Sequence, residues 1–210
     1  MSYIFLVTLI GIQKLSESCI PTQQIDVTTT TPTTTTTTTP LYECVDSTWT
    51  KFDRGTYFWC MKIFIEGILA QEAVMYCAML NSAAVPSGFQ NSGEVTTMMN
   101  VARGTTGGTN ARLTIGAYRR AACEGVIGVD ASCTQLNSFY WTDGYTSGTT
   151  QHVKQQSTHK FLISGSPDNS GGASIPQMYM IVDSTDDKMD DAYGGDYYEG
   201  AVCGMLAMAV

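Results

Sequence analysis

Residues 28–40 contain eleven threonines, two prolines and nothing else. No apolar side chain is available there to offset the entropy of ordering, so this stretch cannot join a packed core. It therefore confines any folded domain to the residues after it. Thr/Pro tracts of this kind typically accept O-linked sugars and stand as extended stalks. An unmodified flexible linker is the alternative, and both make residues 19–43 a spacer. Ahead of it, MSYIFLVTLIGIQKLSES carries an apolar run from Tyr3 to Ile12, then polar residues with Ser16 and Ser18. That is the form of a secretory signal peptide, residues 1–18, cleaved near Ser18. The run is too short to span a bilayer. A buried N-terminal strand is the competing account. Only seven residues follow Cys203, which leaves room for neither a membrane span nor a lipid-anchor signal. The expected destination is extracellular, as a secreted protein.

Export gives the cysteines their meaning. Seven occur, at 19, 44, 60, 77, 123, 133 and 203, and six of them follow the tract. In an oxidising compartment an even set reads as disulfides. Zinc is disfavoured, because no C-x-x-C pair exists and His152 and His159 are distant in sequence from every cysteine. Cys19 stands alone as a free thiol, an intermolecular link or part of the signal segment. The formal net charge is −8, and most of the excess sits in DSTDDKMDDAYGGDYYE at 183–199, with seven carboxylates and one lysine. The rest is nearly neutral and has no basic face for a phosphate backbone, so nucleic acid is not an expected partner. No enzyme is expected either. Ser-His-Asp hydrolysis needs an oriented histidine, and both histidines lie in polar QHVKQQSTHK with no nucleophile elbow nearby.

The post-tract segment opens CVDSTWTKFDRGTYFWC, in which Gly55 between aromatic and β-branched flanks predicts a hairpin. A Cys44–Cys60 bridge would staple it. In ILAQEAVMYCAML, Ala70, Ala73, Cys77 and Leu80 recur at helical spacing. A second helix is predicted from Asn91, with Glu94 three residues on as a capping box. Val95, Met98, Met99 and Ala102 would form its buried face, and Gly104 its stop. Beyond it, RLTIGAYRR, FYWTDGY, MYMIVD and AVCGMLAMAV read as short strands among long loops, giving an α+β domain. The loop from about 142 to 176 is long enough to suggest function.

The order of W-x-x-F at 49–52, the helix cysteine, LTIGAYR, WTDG, G-x-PDN, M-DD and VCG resembles a C-type lectin-like domain, over roughly residues 44–204. It is most similar to the secreted kind found in nematodes. Thr114 stands where that family carries an aromatic residue in its core strand. The resemblance implies a two-helix fold with short antiparallel sheets and a long irregular loop region. It further implies a bridge from Cys77 to Cys203 and an extra loop bridge from Cys123 to Cys133. A second widespread bridge would fall near Pro176 and Gly194, where no cysteine stands, implying a loop tethered less tightly.

The family's calcium site, carried over by position, implies Asp168, Asp190 and Asp191 as metal ligands. Ser166, Asp168, Asn169, Asp190 and Asp191 would form the ligand-binding set, with Ser166 in place of a Glu or Gln. Asp168 points by analogy to galactose-type hydroxyls, and Tyr193, Tyr197 or Tyr198 could stack on a sugar. Trp141 reads as core. Asp183, Asp186, Asp187, Asp196 and Glu199 match no family position. The acidic run thus has two readings, a loosely held calcium or a solvated loop over a calcium-free domain. Function also has two: a carbohydrate-binding module, calcium-assisted and by kinship connected with innate immunity, or a calcium-independent domain that binds a surface protein.

Overall fold

A computed structural model of the chain describes residues 41–128, 130–134, 137–147 and 168–210. The expected signal segment, the Thr/Pro tract, Cys19, His152, His159, Ser166 and most of the long loop lie outside these residues. The described part falls in one compact unit, Thr39–Val210.

Strand β1 (Tyr42–Glu43) opens the domain, and β2 (Thr50–Asp53) and β3 (Phe58–Leu69) form the expected hairpin, with Phe52 opposite Trp59. Gly55 takes φ +83° in its turn, a conformation that costs glycine nothing. Cys44 is bonded to Cys60, fastening the entering chain to β3. A 3-10 turn, Ala70–Glu72, leads into α1 (Ala73–Leu80), which buries Ala73 and Cys77. After β4 (Val85–Pro86) comes α2 (Ser92–Thr105), where the Asn91 side chain accepts the Glu94 amide at 3.1 Å. Val95, Met98, Met99 and Ala102 are all fully buried along its inner face, as their spacing predicts. Gly104 lies inside the helix instead of stopping it. The chain turns away at Gly107 and Gly108, both with positive φ, and the Gly108 amide donates back to the Arg103 carbonyl at 2.8 Å.

The remaining strands are β5 (Arg112–Arg119), β6 (Phe139–Trp141), β7 (Tyr179–Asp183), β8 (Lys188–Ala192), β9 (Tyr197–Leu206) and β10 (Met208–Ala209). Among the described residues the main sheet runs β2-β3-β9-β5-β7-β8, with β4 beside β9 and β6 beside β5. Among the described residues only β5 and β9 pair in parallel; the other pairings are antiparallel. β1 pairs with β10, so ordered pairing extends past both ends of the 44–204 span.

The pleat decides which side each residue serves. Leu113, Ile115, Ala117, Met61 and Val202 point to the face covered by α2, whereas Cys60, Ala201, Cys203 and Met205 point to the face covered by α1. A Cβ on Gly116 would run into the Pro86 carbonyl, so β4 can cross β5 only over a glycine. No helix among the described residues is long and apolar enough to cross a membrane.

Cys77 is bonded to Cys203 across a sequence separation of 126, and Cys123 to Cys133 across 10. In the chain-entropy account these restrict the unfolded chain by about 5 and about 3 kcal/mol. Paired Cys→Ser variants followed by urea denaturation should therefore lose more stability at 77/203 than at 123/133.

Candidate functional site

Two elements build the candidate site: the β7–β8 hairpin, which carries most of the carboxylates, and the loop entering at Asp168. Asp183 and Lys188 close the hairpin, and Asp187 adopts φ +61° in its turn. Four of the five unmatched acids have partners, and the fifth, Asp196, is exposed. Asp183 accepts the Thr185 amide at 2.7 Å, and Asp187 pairs with Arg103 at 2.8 Å. Asp186 pairs with Lys188 at 3.1 Å, and Glu199 accepts the Arg112 amide at 2.7 Å. The acidic run is thus a turn and strand in which Asp186, Asp187, Asp191 and Glu199 each face a cation.

The matched residues divide in a way that strand geometry dictates. Asp190 lies opposite Ile181 and Asp191 opposite Met180, so their side chains leave opposite faces of β8. Asp191 goes inward, on the side of Met189, and its side chain is fully buried. There the Arg119 guanidinium, itself 1 % exposed, donates from Nη2 to Asp191 Oδ2. The Asp168 amide donates to Oδ1 at 3.1 Å and the Asn169 amide to Oδ2 at 2.7 Å. Burial pushes the Asp191 carboxyl up to about 6, against the pull of those amides and of Arg119. Burial also lowers the Arg119 guanidinium, which Asp191 holds in its charged form. Arg119 Nε donates to the Gln177 carbonyl at 2.7 Å, and its guanidinium lies 4.6 Å from the Phe139 ring centroid.

Asn169 is equally committed. It is fully buried in the left-handed region at φ +47°, which asparagine tolerates. Its Nδ2 donates to the carbonyls of Glu124 and Val126 at 2.7 and 2.9 Å, and its Oδ1 accepts the Gln177 amide at 2.9 Å. Gln177 Nε2 in turn donates to the Asp191 carbonyl at 3.0 Å. The structure therefore brings Asp168, Asn169 and Asp191 together, as the resemblance implies, but around an arginine. Calcium needs six to eight oxygens. Asp191 and Asn169 are spent on protein donors, Asp190 leaves the other face, and Asp168 accepts the Ser170 amide at 3.0 Å. Among the described residues no three His, Cys, Asp or Glu side chains converge on a metal position. The described residues do not fit a calcium ion.

Beside this knot lies a shallow recess of about 400 Å³, lined by Ile175, Pro176, Tyr193, Gly194, Gly195 and Asp196. It brings together Pro176 and Gly194, the two neighbourhoods without the expected bridge. The Tyr193 hydroxyl lies 3.2 Å from Ser170 Oγ, while Tyr197 is 71 % exposed and Tyr198 is buried. Trp141 packs partly buried against the main core.

The sequence reasoning missed Arg119, although a signal was present. It follows Leu113, Ile115 and Ala117 at a spacing of two, which places an arginine on the buried face of a strand, where it needs an acid. A second buried pair was also missed. Arg54 donates to both Glu94 oxygens, at 2.8 and 2.7 Å, and Glu94 Oε2 also accepts the Gln90 amide at 2.7 Å. Burial alone would lower Arg54, but the Glu94 carboxylate and the Tyr57 hydroxyl together offset it and raise the guanidinium above its ordinary value. The capping box is thus reciprocated one residue early, through Gln90.

No protein-family model matches the sequence, and no curated protein does. Solved structures match over nearly their whole length. The C-type lectin CEL-I from Cucumaria echinata aligns at 16% identity and TM-score 0.54, covering 76% of this chain and 96% of that one. The cow C-type carbohydrate-recognition domain of CD23, crystallised with a GlcNAc2Man3 oligosaccharide, aligns at 15% and 0.53, covering 80% and 100%. A calcium-independent type II antifreeze protein aligns at 13% and 0.50, covering 80% and 98%. The fold is C-type lectin-like, with two helices, short sheets and three disulfides among the described residues.

Asp191→Asn should cost about 3–5 kcal/mol, because it leaves Arg119 buried without its counter-charge. The double change Arg119→Met with Asp191→Leu should recover much of that loss, while Asp190→Asn should stay within about 0.5 kcal/mol. Urea denaturation of the oxidised variants reads all three.

Proposed function

We propose that the chain is a secreted carbohydrate-binding module, of the stalked kind that nematodes export, which recognises glycan without a calcium ion at Asp191. The observation that carries this reading is the Arg119–Asp191 pair, because the carboxylate through which calcium would act is already neutralised. The recess at Tyr193 offers an alternative chemistry. Ile175, Pro176 and the Tyr193 ring present an apolar surface to the C–H face of a sugar. The exposed Asp196 carboxylate can accept two hydroxyl hydrogen bonds, which are stronger than neutral ones.

A second reading, a calcium-independent module for a surface protein, has its own support. The outer face of α1 exposes Val74, Met75 and Met79 at 61, 53 and 69 %, a surface better suited to a protein than to a sugar.

A glycan array probed with the oxidised protein separates these possibilities. The expected outcome is a bound glycan class whose signal is the same in millimolar calcium and in EDTA. Asp196→Ala should weaken that signal about tenfold with an unchanged melting temperature. Binding that EDTA abolishes would refute the calcium-free account, and no bound glycan under either condition would favour the protein-binding one.

A further inference from the structure

A second recess, of about 200 Å³, opens between α1 and β5 and shares no lining residue with the one at Tyr193. Ala70, Ala73 and Val74 form its helical wall; Thr114, Tyr118 and Tyr179 form its sheet wall. Leu113, Ile115 and Ala117 point toward α2, so the pleat turns Thr114 and Tyr118 to the opposite side, into this space. The Tyr118 and Tyr179 rings meet edge to face, with centroids 5.3 Å apart. Thr114 is 1 % exposed, and its hydroxyl Oγ1 finds no hydrogen-bond partner. A buried hydroxyl in that condition loses its hydration without recompense, whereas most buried polar side chains are satisfied.

We propose that this recess binds a ring-sized apolar molecule carrying one hydroxyl or carbonyl group, phenol being the simplest example. The size is right, since an apolar protein cavity of about 150 Å³ stays dry and accepts benzene. The lining is mainly alanine, valine, isoleucine, proline and tyrosine, with Gln71 and Thr142 as its other uncharged polar residues, and it holds no charged side chain, which disfavours a charged ligand. Among the polar groups of this lining, Thr114 Oγ1 is the buried one without a partner, and it supplies the contact; it donates to a carbonyl or accepts from a phenolic O–H. Val74, at the mouth, is 61 % exposed, so the helix wall continues outward as apolar surface that a larger substituent could follow.

The test is an NMR titration of the oxidised protein with phenol and, separately, with benzene, following backbone amides. Both should give saturable shifts centred on Ala73, Thr114 and Ala117, with phenol about three- to tenfold tighter, the worth of one hydrogen bond. Thr114→Val keeps the side chain's size and removes the hydroxyl, so it should abolish the preference for phenol and leave benzene binding intact. Shifts that do not saturate for either probe would overturn the proposal, as would shifts centred elsewhere or a preference for phenol that survives in Thr114→Val. A site that proves to hold water alone would do the same. None of these outcomes bears on glycan recognition at Tyr193.

Discussion

The ion pair between Arg119 and Asp191 organises one end of the domain. It joins the last residue of β5 to β8 beneath β7, and the same carboxylate receives the amides of Asp168 and Asn169. The loop that returns to the sheet at residue 168 is therefore anchored by a buried charge. A buried pair is costly to assemble, because both ions lose their hydration, and costlier still to break, because one ion is then stranded. The arginine thus acts as a cation built into the chain. Where an exchangeable metal would make the loop's geometry depend on its surroundings, a covalently attached guanidinium makes it permanent.

This alters what the missing bridge near Pro176 and Gly194 implies. A loop without its disulfide is expected to be less firmly held. Here Asn169 and Gln177 supply the fastening, through hydrogen bonds to Glu124, Val126 and Asp191. The Cys123–Cys133 bridge closes the segment that contains Glu124 and Val126, so the anchor rests on a covalently restricted partner. The result is a firm floor beside the Tyr193 recess, and the glycan recognition proposed for that recess would need such rigidity, because a preorganised surface loses less on binding.

Much of the fold was legible in the sequence. The hairpin at Gly55, the buried face of α2 and the three bridges follow from periodicity, turn chemistry and kinship, each of which is local or carried by spacing. The site was less legible. Position alone assigned Asp190 and Asp191 one role, but adjacent residues on a strand face opposite ways, so they could share a site only if β8 were irregular. The alternation of β5 marks Arg119 as buried, but the partners of Arg119 and Arg54 lie 72 and 40 residues away, and no local pattern names them. The helix stop at Gly104 failed for a different reason: α2 tolerates that glycine, while Gly107 and Gly108 supply the left-handed turn.

The most direct measurement is thermal unfolding of the oxidised protein in millimolar calcium and again in EDTA. A ligand present at a hundredfold excess over its Kd and bound only by the folded state would add about 2.7 kcal/mol of stability. With Arg119 in place, the two melts should superimpose. A clear rise in melting temperature with calcium, lost in Asp191→Asn, would mean that the carboxylate is free to bind metal and that the arginine is not its resident partner.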